Sequence, residues 1–226
     1  MPSSSVIWPA ARSMAVLSFY RNDVTPAIRA RQRAPQDDVL SHLLEKKASR
    51  KMILIECMTY AGAGMVTTRE FIVMAAWYLL ERPELREDFL AGDEKRQVAI
   101  LLEILRLEPI AALLHRRTDP SRGAESQLLA LDLRAVHLDE EAVGPCPHAL
   151  DPDRATKMKT NGAFLSFGTG SHHCPGRQVA LHETRMFLDA LLRVPGIRLE
   201  REPDIGWSGL LMSYELRGAV VTCSKA

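Results

Sequence analysis

The stretch SFGTGSHHCPGRQVALHETR, Ser166–Arg185, joins a glycine-rich loop to an amphipathic helical pattern. One cysteine, Cys174, lies at the predicted helix start between Gly170 and Gly176. Unpaired backbone N–H groups and the helix dipole favour negative charge there and hold a cysteine as thiolate, the form that binds metals. Glycines permit a tight turn that directs backbone amides at the sulfur. The stretch therefore marks Cys174 as a candidate ligand or nucleophile.

On the residues alone, three interpretations of Cys174 compete with that of a cofactor ligand. A cysteine is most often a small buried hydrophobic residue. The thiol could be catalytic beside His172 or His173. It could also bind zinc with those histidines, although zinc sites usually combine two spaced ligand pairs and the sequence has no Cys-x-x-Cys or His-x-x-x-His pair.

The full loop is more specific than its cysteine. Residues 167–176 fit the pattern Phe-x-x-Gly-x-His-x-Cys-x-Gly through Phe167, Gly170, His172, Cys174 and Gly176. This pattern resembles the haem-thiolate loop of the cytochromes P-450. The resemblance implies bound haem b with Cys174 as the axial iron ligand. It also implies that His172 binds a haem propionate, that Phe167 lies against the haem near the sulfur, and that Gly176 lets the flat group approach.

Two charged motifs precede this loop in the order that the family shows. The segment from Glu103 to Arg106 is Glu-x-x-Arg, which alone says little because opposite charges three residues apart are common on solvated helix faces. Pro152, Asp153 and Arg154 then form Pro-x-Arg. The resemblance implies that Glu103, Arg106 and Arg154 interlock behind the haem in a structural role.

The longest predicted helix, residues 51–80, carries Gly62 and Gly64, and each costs about 1 kcal/mol relative to alanine. The resemblance implies that the missing side chains make room for oxygen and substrate. Thr67 then corresponds to the family's oxygen-activating threonine, with Gly64 at a matching upstream position; a hydroxyl bonded to a carbonyl one turn earlier is the alternative. Val66 stands where the family usually has an acid, so a proton relay through Thr67 and water is expected to be weak.

His115 and Arg116 follow the Glu-x-x-Arg helix. They lie at about the distance at which the family has a propionate partner, so the resemblance implies that they help to bind the haem. The alternative is an exposed strand end.

The bulk composition excludes several classes of protein. The 226 residues carry a formal net charge of +1 with no long basic run, so we expect no nucleic-acid and no anionic-membrane partner. The apolar stretches are shorter than the roughly 20 residues that a spanning helix needs. Four widely spaced cysteines do not resemble a secreted disulfide scaffold, which favours a reducing, cytoplasmic compartment.

The patterns predict a mainly α fold with a small β portion after residue 109, as in the C-terminal half of a cytochrome P-450-like fold. Pro26 is expected to break the first helix, and residues 144–162 are expected to form a long irregular loop. We predict one short haem domain over residues 1–226, with variable N-terminal helices in 1–50 and the haem-binding core in 51–226. The resemblance covers roughly residues 35–226, the family's back half.

These features predict a haem-thiolate oxidoreductase, a monooxygenase or a peroxide-using enzyme, that acts on a small apolar molecule. A separate ferredoxin or flavoprotein would supply electrons, and self-association is expected. The alternative is a haem-binding protein without monooxygenase activity, such as a sensor, a carrier or a remnant. A non-haem interaction module is a third hypothesis, against which the intact cysteine loop argues.

Overall fold

The computed structural model describes residues 13–119, 125–209 and 212–224. The described residues of Met1–Met65 form one compact unit and those of Val66–Ala226 another. Within the described part of the chain, no helix is both long and apolar enough to cross a membrane.

The described residues are mainly helical. Helix α1 consists of residues 13–19, a π-helical turn Tyr20–Val24, and Thr25–Arg33. The other α-helices are α2 Val39–Glu45, α3 Arg50–Glu81, α4 Pro83–Ala91, α5 Glu94–Leu107, α6 Leu133–His137, α7 Glu140–Val143, α8 Arg154–Met158 and α9 Arg177–Leu192.

The β portion consists of small antiparallel pairs after residue 109, which confirms the predicted fold class. The hairpin of β1 (Leu113–Arg117) and β2 (Leu128–Asp132) pairs His115 with Ala130. Strand β3 (Arg198–Arg201) pairs with β6 (Val220–Thr222), and β4 (Asp204–Ser208) pairs with β5 (Ser213–Arg217).

Two local predictions were wrong. Pro26 does not break α1, because the π-helical turn Tyr20–Val24 carries the chain into Thr25–Arg33 without interruption. Pro26 directly follows Thr25, whose N–H donates to Tyr20 O five residues back, so the regular hydrogen-bond ladder is already shifted beside the proline. The predicted irregular loop also contains the short helix α8.

The unit within Met1–Met65 has a small core of its own. Val24, Ile28 and Ile53 are its fully buried apolar residues among those described. Asp38 caps α2 by accepting a hydrogen bond from Ser41 N at 2.7 Å. Its ion pair with Arg31, together with the bond from Ser41, lowers the pKa of Asp38 to about 2.

The larger unit is built around α5. This helix begins at the cap Asp93, whose carboxylate accepts from Arg96 N at 2.8 Å, and it ends at Leu107, just before Pro109. Its buried side chains Ile100, Leu101, Ile104 and Leu105 pack with apolar residues of α3, α4 and α9. The core thereby fixes the C-terminal half of α5, which carries Glu103 and Arg106.

Glu70 joins α3 to strand β5 within this unit. Its carboxylate is fully buried and accepts from Leu216 N at 2.7 Å and from Arg217 Nη1 at 2.8 Å, and Arg69 Nη2 lies at 2.6 Å. Burial alone would raise the pKa of Glu70, but these donors outweigh it and lower the pKa. The C-terminal half of α3 and the β4–β5 hairpin are therefore held together by a charged hydrogen-bond network.

Candidate functional site

The loop from Phe167 to Gly176 is closed by its own backbone. Cys174 N donates to Phe167 O at 2.8 Å, and a single 3₁₀ turn, Gly170–His172, lies between them. Gly168 and Gly170 have φ of +68° and +72°, a left-handed conformation that favours glycine. These glycines are therefore needed for the turn that brings Cys174 back beside Phe167.

The thiol lies slightly ahead of the position that the sequence predicted. Helix α9 begins at Arg177 with Gly176 as its N-cap, so Cys174 precedes the first turn by three residues. The thiol is half-buried and free. Its backbone N–H donates to Phe167 O, so this N–H belongs to the loop and not to the first turn of α9.

Gly176 leaves room beside the sulfur. Its φ of −86° is open to any residue, so backbone conformation does not require glycine. A Cβ placed on Gly176 would lie 3.9 Å from Cys174 Sγ, an ordinary van der Waals contact with no clash inside the chain. The missing side chain therefore bares one side of the thiol, as a flat prosthetic group bound through that sulfur requires.

The other predicted loop residues lie around the thiol. His172 ends the 3₁₀ turn and is exposed, whereas Phe167 is half-buried. Sequence reasoning missed Arg177, whose guanidinium carbon lies 5.7 Å from the centre of the Phe167 ring. Its Nε is buried without a hydrogen-bond partner among the described residues. The loop thus combines an aromatic ring, a cation and a thiol.

The structure brings the three predicted charged residues together. Arg106 makes a two-pronged bond to Glu103, from Nε to Oε2 at 2.9 Å and from Nη2 to Oε1 at 2.8 Å. Arg154 Nε donates to Glu103 Oε1 at 3.0 Å, as does Asp151 N. All three charged side chains are almost completely buried. We call Glu103, Arg106 and Arg154 the charged triad.

The remaining guanidinium donors bind one stretch of main chain. An arginine has five N–H groups, and all five of Arg106 and all five of Arg154 have acceptors. Besides Glu103, these acceptors are the carbonyl oxygens of His137, Val143, Pro145, Cys146, Pro147 and Ala149. The segment 143–149 therefore needs no regular secondary structure, because the triad satisfies its carbonyls.

His137, which has no place in the sequence motifs, links the triad to the cysteine loop. Its fully buried ring accepts from Leu165 N at 3.1 Å through Nε2, and its Nδ1 lies 3.1 Å from Arg106 O. Burial, and then the nearby Arg106 charge, lower the pKa of His137 to about 4. A lone histidine between apolar residues carries no sequence signal for such a bridge.

His115 and Arg116 are both exposed on strand β1. Successive strand residues point to opposite faces, so the two side chains cannot serve the same side of the hairpin. Arg116 Nη1 lies 2.9 Å from His115 O. Only one of them can therefore contribute directly to a given carboxylate.

Thr67 and Gly64 lie on α3 on different sides of the boundary between the two units. Thr67 is half-buried, as is Val66. Gly64 is exposed, and a Cβ added there would have no heavy atom within 4 Å. Their predicted roles stay predictions. In the described ranges, no group of three or more His, Cys, Asp or Glu residues could hold a metal ion.

The mainly helical fold, the cysteine loop before α9 and the charged triad define a cytochrome P450-type protein. Residues 98–194, which include the triad and the loop, match the family model described as "Cytochrome P450". The chain is 30% identical over 207 residues to the mycinamicin IV hydroxylase/epoxidase of Micromonospora griseorubida, covering 86% of this chain and 51% of that protein. It is 27% identical over 190 residues to the nocardicin C N-oxygenase of Nocardia uniformis subsp. tsuyamanensis, covering 77% and 45% respectively.

Solved structures agree with this assignment. P450BioI, in complex with hexadec-9Z-enoic acid ligated acyl carrier protein, matches with a TM-score of 0.74 and 25% identity over 94% of this chain and 54% of its own. CalO2, at 22% identity, shows the fold alone with a TM-score of 0.75. The chain belongs to the cytochrome P450 family and spans about half the length of the curated relatives it matches. Membership implies a haem iron cofactor.

Proposed function

We propose that Cys174 Sγ binds the iron of haem b and that the loaded protein is an oxidoreductase of the monooxygenase type. The observation that carries this proposal is the Cys174 loop, closed by the bond from Cys174 N to Phe167 O and bared on one side at Gly176. When bound, a haem with a thiolate ligand supplies the activation of dioxygen or peroxide.

The chain's own residues have distinct tasks in this proposal. Cys174 would supply the thiolate, and Phe167 would lie against the haem near the sulfur. His172 and one of His115 or Arg116 provide exposed donors for the propionate groups, and an arginine fork suits a carboxylate best. The charged triad has a structural role, because every donor of its two arginines is already used within the chain.

Thr67 is proposed to hold the proton that oxygen chemistry needs. A proton relay requires a side chain or a water that can donate and accept. Val66 has no such group, so the hydroxyl of Thr67 and water would form the relay. In this proposal, Val66 and Thr67 on α3 limit the rate of proton delivery and do not affect haem binding.

Substrate, electron donor and location are further proposals. The names of two relatives, a mycinamicin IV hydroxylase/epoxidase and a nocardicin C N-oxygenase, support an oxidation, and a small apolar molecule is the substrate that we propose here. A separate ferredoxin or flavoprotein would supply electrons. A reducing, cytoplasmic compartment would keep Cys174 available as a thiolate.

Self-association is proposed as well. Val179, Met186 and Phe187 lie on one side of α9 and are 67%, 51% and 50% exposed. Exposed apolar clusters often mark an interface, and a second copy of this chain is the occupant that we propose. Light scattering of the parent and of Phe187→Glu tests it, since a monodisperse parent monomer at micromolar concentration would contradict it.

The absorption spectrum of the reduced, haem-loaded chain with carbon monoxide tests haem-thiolate ligation. We expect a thiolate-type band in the parent and in Cys223→Ala, which removes an exposed cysteine. Cys174→Ala should lose that band. An unchanged spectrum in Cys174→Ala would refute the ligand assignment, and bound haem without turnover would favour a haem-binding protein over an enzyme.

A further inference from the structure

The buried ring of His137 can satisfy its two neighbours in only one protonation state. Arg106 O can only accept a hydrogen bond, and Leu165 N can only donate one. The ring must therefore be neutral, with its proton on Nδ1 and a lone pair on Nε2. The surroundings thus select one of the three forms that a histidine can take.

The acceptor Nε2 holds the chain just before the cysteine loop. Leu165 is two residues from Phe167, whose carbonyl oxygen accepts from Cys174 N. The neighbouring Ser166 Oγ donates to Leu105 O at 3.1 Å. The entrance of the loop is therefore fixed to the end of α5 at two points, and only the point at His137 can be lost by protonation.

We infer that His137 is a positioning residue for Cys174, and that its neutral ring holds the cysteine loop against the end of α5 until protonation releases it. The haem consequences of this inference rest on the proposed function, whereas the link between His137 and Leu165 does not. Among the described residues the His137 ring contacts Arg106 O, Leu165 N and the Phe164 ring, so it would act on Cys174 through the main chain of Leu165 and Phe167.

The charges around the ring oppose its protonation. From α5, Arg106 donates to the carbonyl oxygen of His137 at 2.7 Å, and Glu103 is paired with Arg106. Arg134, on the same helix as His137, is half exposed and donates to Glu108 and Tyr214. The loop side presents the Phe164 ring, whose centre is 6.0 Å from that of His137, and the N–H of Leu165.

A second proton would therefore have two effects. It would place a cation beside the Arg106 guanidinium, and it would set an Nε2–H against the N–H of Leu165, donor against donor. The lowered pKa of about 4 keeps the ring neutral at physiological pH. Release of the loop is thus expected only in acid.

Three variants test the inference. His137→Asn keeps one donor and one acceptor at similar spacing but does not titrate. His137→Leu removes both. His148→Asn changes an exposed histidine from the neighbouring segment and serves as the control.

Hydrogen exchange of the Leu165 amide in the haem-free chain is the first measurement. At neutral pH we expect about tenfold faster exchange in His137→Leu than in the parent, the size of effect that one lost hydrogen bond produces. His137→Asn and His148→Asn should resemble the parent. Unchanged exchange at Leu165 in a folded His137→Leu would overturn the inference.

The pH profile of haem retention, followed by the thiolate-type band with carbon monoxide, is the second measurement. The parent and His148→Asn should lose the band near pH 4, and His137→Asn should keep it to lower pH. An identical acid midpoint in His137→Asn and the parent would overturn the inference, even if His137→Leu does not fold. A parent that binds no haem at neutral pH would refute the proposed function, and Leu165 exchange would still decide the role of His137.

Discussion

Glu103 Oε1 accepts a hydrogen bond from Arg154 Nε at 3.0 Å, although the two residues are 51 positions apart. The same oxygen accepts from Arg106 and from Asp151 N. This one carboxylate therefore connects α5, α8 and the segment between them. Removing it would leave two buried guanidinium groups without their counter-charge.

Glu103→Ala should destabilise the chain by about 3–5 kcal/mol, because breaking a buried ion pair leaves uncompensated charge. We expect insoluble protein or loss of haem. Arg106→Lys should not restore the stability that Arg106→Ala loses, since a lysine has three donors in place of five. Glu94→Ala, at an exposed position of the same helix, is the control. Urea unfolding measures the free energy of unfolding of each variant. Full haem retention in Glu103→Ala and Arg106→Ala would contradict the structural role of the triad.

Gly176→Ala should separate haem binding from stability. The added Cβ meets only Cys174 Sγ, at 3.9 Å, but alanine is a poorer N-cap than glycine, so the free energy of unfolding of the haem-free chain should fall by about 1 kcal/mol. Haem affinity should fall, because the methyl group occupies the bared side of the thiol. Gly170→Ala is the contrasting variant, since its φ of +72° costs an alanine about 1–2 kcal/mol. Equal haem affinity in Gly176→Ala and the parent would refute this account.

Arg116→Ala should weaken haem retention more than Arg117→Ala does. The two side chains point to opposite faces of β1, while both substitutions remove one positive charge from the same hairpin. His115→Ala shares the face of Arg117 and reports on the histidine. Haem transfer to a competing haem-binding protein measures retention. Equal rates for Arg116→Ala and Arg117→Ala would assign the effect to net charge.

Turnover of one test substrate with dioxygen and with peroxide tests the proton relay. Val66 cannot pass a proton, so peroxide-supported oxidation, which does not need that step, should exceed dioxygen turnover with a surrogate electron donor. Thr67→Ala should lower the dioxygen rate more than the peroxide rate, and Val66→Glu should narrow the gap. Efficient coupled dioxygen turnover in the parent would rule out a weak relay.

The stability of the haem-free chain should depend on pH through His137. Its pKa is about 4 in the folded chain and ordinarily 6.5, so between these values the unfolded chain binds more protons. The free energy of unfolding therefore has its full value above pH 6.5 and falls by about 3 kcal/mol as the pH drops to 4. His137→Asn should remove this part of the pH dependence. Parallel urea midpoints for the parent and His137→Asn across that range would contradict the prediction.

Local patterns in the sequence were sufficient to predict the fold class and the cysteine loop. The cap at Asp93 and the stop at Pro109 define α5 through interactions within a few residues. The loop around Cys174 depends on glycines at two left-handed positions and on a bond between residues seven apart. Such features depend on neighbours in the chain, so a short stretch of sequence is enough to indicate them.

Long-range pairing was decided only by the tertiary structure. Glu70 accepts a hydrogen bond from Arg217, 147 positions away, and His137 accepts one from Leu165, 28 positions away. The three residues of the triad could be named from the family resemblance, but the six carbonyl oxygens that accept hydrogen bonds from its arginines could not. Pro26 shows the same limit locally, since no sequence pattern predicted the π-helical turn Tyr20–Val24 that precedes it. A buried polar group takes whichever partner the folded chain brings to it, and that choice leaves no periodic pattern in the sequence.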